Sequence, residues 1–282
     1  MSTRSTRKRK TTMLSPKKFV DSILMKSGKS FEAGVAEFYK ETYLESPTFF
    51  AFFKSPKEKN ASEEVWLYDS TRVMIPEVEY YHASWVDGLK PNQYILAQAP
   101  RDANDAKDFF KILSHVKAEG IIIAEGADEF SSVISSKFEK GVGKKKGCSA
   151  DKEDIASAII KEHGVNLKAI KFTRWTTPNT LEKTVLMDLM QTARTYLGCP
   201  LTKGPLVIVC KDGATKSGVV AFLEMEMTRL EKHKRIKHVE SIKLIRSMRS
   251  NTFDSPDIFN LALDTLLELC RDEKSKLKST NK

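Results

Sequence analysis

Residues 206–230 read LVIVCKDGATKSGVVAFLEMEMTRL, an apolar strand-like run that ends in Cys210, a short loop with glycines at 213 and 218, and a run with helical periodicity. A strand that crosses such a loop into a helix near Lys216 presents several backbone N–H groups at a helix N-terminus, which is a ready anion site. The same dipole lowers a cysteine pKa and favours thiolate. A cysteine at the end of an apolar strand is equally an ordinary core thiol, so the loop alone leaves both readings open.

The rest of the chain supplies the setting. With 282 residues and 40% apolar content, one large domain with ragged ends is expected. Four cysteines, Cys148, Cys199, Cys210 and Cys270, form no CxxC pair, and neither a disulfide framework nor a metal site is indicated. No run approaches eighteen apolar residues, so no membrane span and a cytoplasmic location are expected.

The net charge of +10 is uneven: residues 1–18 contribute Arg4, Arg7, Lys8, Arg9, Lys10, Lys17 and Lys18 with no acid. Residues 1–18 are expected to be a disordered basic tail, 19–273 the domain, and 274–282 a second basic tail. The run Arg7–Lys10 reads as a nuclear-import signal, as a nucleic-acid or acidic-lipid contact, or as a solvated tail, and the basic runs at 141–147 and 231–238 read as solvated loops before binding patches.

Periodicity gives alternating strands and helices. GVAEFYKETY reads as a helix, and TRVMI, YYHASWV and YILAQAP as short strands. Residues 102–120 read as a helix with Asp102 or Asn104 as N-cap and Gly120 as its stop. IIIA at 121–124 reads as a buried strand, IASAIIKEHG as a helix, NLKAIKFTRW as a strand and LEKTVLMDLMQTARTYL as an amphipathic helix. Residues 129–154 carry little periodicity and are expected to be a hairpin or an irregular excursion. VESIKLIRSMRS and SPDIFNLALDTLLELC complete the helices. The expected fold class is α/β (α+β), a single domain with a twisted mixed β-sheet flanked by α-helices.

The segment around Cys210 resembles the signature loop of the classical protein tyrosine phosphatases, and DSTRVMI, YYHASWVDG, YILAQAP, DFFKILSHVKAEGIII, FTRW and IKLIRSMRSNTFDSPDIF resemble further segments of that family in order. The likeness covers roughly residues 32–270, with the short nematode phosphatase-domain proteins as its nearest flavour. It implies that Cys210 stands at the nucleophile position, that Lys211, Asp212, Gly213, Ala214, Thr215, Lys216 and Ser217 form the phosphate-binding loop, and that no cofactor is used.

Several positions depart from the pattern. Lys216 replaces the arginine whose planar fork grips two phosphate oxygens. Val209 replaces a histidine, and Thr177 in WTTPN stands where the general-acid aspartate belongs. Asp254 stands in place of the water-positioning glutamine, and Ser62, after Asn60, lies near the position of a substrate-stacking tyrosine.

Trp66 and Tyr68 are expected to be packing residues. Asp212 is expected to turn outward or to pair with Lys211, and Asp128 or Glu129 to pair with Lys216. The expectation is a domain that is catalytically inactive or severely impaired and binds a phosphotyrosine-containing or other protein partner, with nucleic acid not expected. The alternative is an active but slow or specialised phosphatase working through a Cys210 phosphocysteine.

Overall fold

The computed structural model describes residues 13–25, 31–42, 56–124, 138–140, 154–175 and 181–280. Seven strands among them form one sheet: β1 (Ala83–Val86), β2 (Tyr94–Gln98), β3 (Gly120–Ile123), β4 (Glu139–Lys140), β5 (Ile155–Glu162), β6 (Val165–Phe172) and β7 (Leu206–Cys210). Their order is β1-β2-β7-β3-β6-β5-β4. The central four, β2, β7, β3 and β6, run parallel, and antiparallel strands finish both edges.

The helices are α1 (Pro16–Met25), α2 (Phe31–Thr42), α3 (Ala103–His115), α4 (Lys183–Leu197), α5 (Thr215–His233), α6 (His238–Met248) and α7 (Pro256–Thr280). α3 covers one face of the sheet, while the other face packs into the core that holds the remaining helices. Strand alternation decides which residue of β7 joins which core. Leu206, Ile208 and Cys210 point into the larger core, and Val207 and Val209 point toward α3. Val209 is therefore turned to the opposite sheet face from the Cys210 thiol. α5 is buried almost all round along residues 216–230, so its apolar pattern is nearly continuous rather than one-sided.

Most expected elements are present, with informative differences. IASAIIKEHG is not a helix but strand β5. His163 and Gly164 both adopt positive φ, 47° and 80°, and form a two-residue turn that pairs Glu162 with Val165 and sets the β5–β6 register. Asp102 is the N-cap of α3 and accepts from the backbone N–H of Asn104 and of Asp105, each at 2.8 Å.

That helix is capped at Val116, and Gly120 opens β3 instead of stopping the helix. TRVMI contributes isolated bridges, Arg72 to Ser84 and Ile75 to Val78, rather than a strand. α1 begins at Pro16, inside the expected N-terminal tail, and the backbone of α7 runs to Thr280, inside the expected C-terminal one. Most of 129–154, including Cys148, lies outside the described residues.

Candidate functional site

The site is built where β7 ends at the centre of the sheet and α5 begins. Gly213 sits at the turn with φ +67°, and a Cβ there would lie 2.4 Å from both the Ala97 carbonyl carbon and the Gln98 nitrogen of β2. The loop can therefore press against the neighbouring strand only through glycine. Ser217 is buried at the first turn of α5 and donates to the Ile208 carbonyl at 3.3 Å.

Asp212 does not turn outward but inward. Its Oδ1 accepts from the backbone N–H of Ala214 at 2.8 Å and of Thr215 at 3.0 Å, and from the Cys210 thiol at 3.1 Å. Its other carboxylate oxygen accepts from the Thr215 hydroxyl. The reason is local. An aspartate two and three residues ahead of orphan helix N–H groups reaches them without strain. Burial alone would raise the Asp212 pKa, but the bonds from the Thr215 hydroxyl, the Ala214 amide and the Cys210 thiol hold it below the ordinary carboxylate range.

Cys210 is 1% exposed. Burial first, and the adjacent Asp212 charge second, push its pKa up to about 12, outweighing its bonds with Ser217. The thiol is thus protonated at neutral pH, opposite to the effect a bare helix N-terminus would have.

Lys216 is also buried, and its Nζ donates to the Trp175 carbonyl at 2.6 Å and lies 5.8 Å from the Trp175 ring centre. The ammonium is thereby engaged by Trp175, the residue before 176–180. Thr177 lies within that stretch and outside the described residues, as do Asp128 and Glu129.

Arg249 is the residue that the sequence reading did not single out. It closes α6, is fully buried, and holds the loop from beneath. Its guanidinium donates to the Gly213 carbonyl at 3.0 Å, the Asp212 carbonyl at 3.1 Å, the Ser84 hydroxyl at 3.2 Å and Nδ1 of His82 at 2.7 Å. Burial pulls its pKa down to about 10, with Asp212 opposing, so it stays charged at neutral pH.

His82 is held neutral. Burial and then Arg249 lower its pKa to about 3. Because Nδ1 accepts from Arg249, the ring hydrogen lies on Nε2 and is donated to the Val65 carbonyl at 3.0 Å. The only hint in sequence was a second arginine, one turn after Arg246, at the end of an apolar helix.

Gln98 pairs in register with Cys210, and its side chain accepts from the Ala61 amide at 3.0 Å and donates to the Lys59 carbonyl at 2.7 Å. It thus ties residues 59–61 beside the loop. There Asn60 accepts from the Tyr80 hydroxyl at 2.5 Å, and the Ser62 hydroxyl accepts from the Glu64 amide at 3.2 Å.

Tyr68 is buried, as expected of a packing residue, while Trp66 is 38% exposed. Asp254 is exposed, and its backbone carbonyl accepts from the Tyr39 hydroxyl at 3.3 Å.

Residues 56–268 match the family described as protein-tyrosine phosphatase. The chain is 23% identical over 234 residues to receptor-type tyrosine-protein phosphatase S of Gallus gallus, covering 75% of this chain and 15% of that protein. It is 24% identical over 218 residues to receptor-type tyrosine-protein phosphatase C of Homo sapiens, covering 68% and 16%. It is 21% identical over 234 residues to tyrosine-protein phosphatase Lar of Drosophila melanogaster, covering 75% and 11%. The chain spans less than a fifth of the length of these relatives.

Proposed function

We propose that this chain, which belongs to the protein-tyrosine phosphatase family, is a catalytically inactive member that works by binding protein partners. One observation carries the reading: the Asp212 carboxylate already takes the donors on which a phosphoryl group would depend. Phosphoryl transfer to cysteine requires a thiolate nucleophile, a cradle of donors for the phosphoryl oxygens, and an acid for the leaving oxygen.

Here the thiol is held neutral, and Ala214 and Thr215 give their amides to an internal carboxylate. An incoming phosphate dianion would meet that negative charge at close range. The ammonium of Lys216, in place of the arginine fork, is drawn to Trp175. Thr177 supplies no proton at neutral pH, and a missing acid alone removes about 10² to 10⁴ in rate. Asp254, in place of the glutamine, adds a further negative charge.

Hydrolysis of p-nitrophenyl phosphate by the purified chain tests the proposal, with Cys210→Ser as the control. Equal, background-level rates for the two proteins are expected. Turnover by the wild type that Cys210→Ser abolishes would overturn the reading.

A further inference from the structure

The net charge of +10 resides in two segments. Residues 1–18 carry seven cations and no acid, residues 231–237 carry Lys232, Lys234, Arg235 and Lys237 against Glu231, and the rest of the chain balances to zero. The fold joins them. Leu14 and Ile236 form an antiparallel bridge, with Leu14 N–H donating to the Ile236 carbonyl at 2.8 Å and Ile236 N–H to the Leu14 carbonyl at 2.7 Å. The Phe19 ring, one turn into α1, lies 4.7 Å from that of His238, which opens α6.

Around this junction Lys17, Lys18, Lys232, Lys234 and Arg235 are exposed and Lys237 is half-buried. Glu231 is engaged by Arg194 at 2.6 Å and Glu273 by Lys234 at 2.8 Å, with Asp272 beside them, so the cations left for a partner are chiefly Lys17, Lys18, Lys232 and Arg235. The sequence shows two basic runs more than two hundred residues apart, and the fold brings Lys17 and Lys18 of the first beside the second.

The face at this junction lies at the C-terminal end of α5, whose N-terminal end carries the Cys210 loop. A helix of 19 residues separates them by about 28 Å. We propose that this face is a peripheral docking surface for an anionic phospholipid bilayer, holding the domain with its loop turned toward solution. The inference is independent of whether the loop performs chemistry.

The chemistry of the face favours a bilayer over nucleic acid. Residues 13–18 and 231–237 contain no Phe, Tyr or Trp on which a base could stack. The cations cluster at helix ends and at the reversal through Lys234, which has φ 51°, rather than along a helix that could enter a major groove. Lysines outnumber arginines, giving compact, hydrated charges suited to a diffuse layer of anionic headgroups rather than forks suited to individual phosphates. No helix among the described residues is long and apolar enough to cross a membrane, so the contact is superficial.

Co-sedimentation of the full chain with phosphatidylcholine vesicles, with and without about 30% phosphatidylserine, tests this at about 0.1 M and about 1 M salt. Binding to the phosphatidylserine vesicles alone is expected, with loss at the higher salt. Lys17→Gln/Lys18→Gln/Lys232→Gln/Arg235→Gln, whose positions are all exposed, should partition at least about a hundredfold less with an unchanged thermal melt. Equal binding to both vesicle types, no binding at the lower salt, or wild-type binding by the quadruple variant would overturn the proposal. Salt-sensitive binding to duplex DNA by a chain that ignores the vesicles would overturn it in favour of nucleic acid.

Discussion

The Cys210 thiol donates to the carboxylate of Asp212 at 3.1 Å, within a loop whose Ala214 and Thr215 amides donate to the same carboxylate oxygen. The aspartate satisfies the helix N-terminus from inside the chain, so the loop keeps its shape without a ligand. Asp212 thus closes the cradle, helps to order the loop and, second to burial, keeps the thiol protonated.

Removing that carboxylate should have separable effects. Asp212→Ala strips the Ala214 and Thr215 amides of their acceptor and removes the charge beside Cys210. The variant is expected to bind tungstate or phosphate in the millimolar range, where the wild type gives no isothermal titration signal. Anion binding by the wild type equal to that of the variant would show that the carboxylate does not close the cradle.

Restoring the family's side chains elsewhere should not suffice. With Asp212 in place, Thr177→Asp/Lys216→Arg is expected to remain at the background rate on p-nitrophenyl phosphate. Adding Asp212→Ala should produce a rate at least tenfold above that of the double variant, and Cys210→Ser should abolish it. Full activity in the double variant would locate the defect in the acid and the arginine alone.

Arg249 supports the loop with four hydrogen bonds from a fully buried guanidinium. Arg249→Ala leaves the Asp212 and Gly213 carbonyls without those donors and is expected to cost about 3–5 kcal/mol in urea unfolding. Arg249→Lys should recover only part of this, because an ammonium cannot reproduce the fork.

Gly213→Ala tests the approach of loop to strand. Positive φ and a Cβ placed 2.4 Å from the β2 backbone combine, and a loss of at least about 2 kcal/mol is expected from the same measurement.

His82 gives stability a pH signature. Its folded pKa of about 3 lies below the ordinary value of 6.5, so between these limits the unfolded chain binds the proton that the folded chain refuses. Stability should therefore fall as pH drops from 6.5 toward 3, with this residue contributing up to about 1.4 kcal/mol per pH unit. Asp212, whose folded pKa is depressed, adds a loss at the acid end, below its ordinary carboxylate range. His82→Gln keeps a donor for the Val65 carbonyl, and its stability should be flatter across pH 6.5 to 4 in urea titrations.

The strand, loop and helix around Cys210 were legible because apolar periodicity and two glycines leave few alternatives. β5 was not, since Ile155, Ala158 and Ile159 also suit a helix and only the positive-φ pair His163–Gly164 signals a hairpin. The inward turn of Asp212 is not legible from its charge, because it is set by the unsatisfied amides of its own helix. Arg249 was invisible for a different reason: nothing in the spelling of an arginine at a helix end distinguishes a solvated one from one buried beneath a loop.

The most direct measurement is the ionisation of Cys210, read as thiolate absorbance near 240 nm for the wild type minus Cys210→Ser across a pH titration. Because burial and Asp212 hold the thiol at about 12, the expected result is no thiolate signal at neutral pH and a rise only under strongly alkaline conditions. A titration midpoint at or below about 7, as for a thiol activated by a helix N-terminus, would contradict the account.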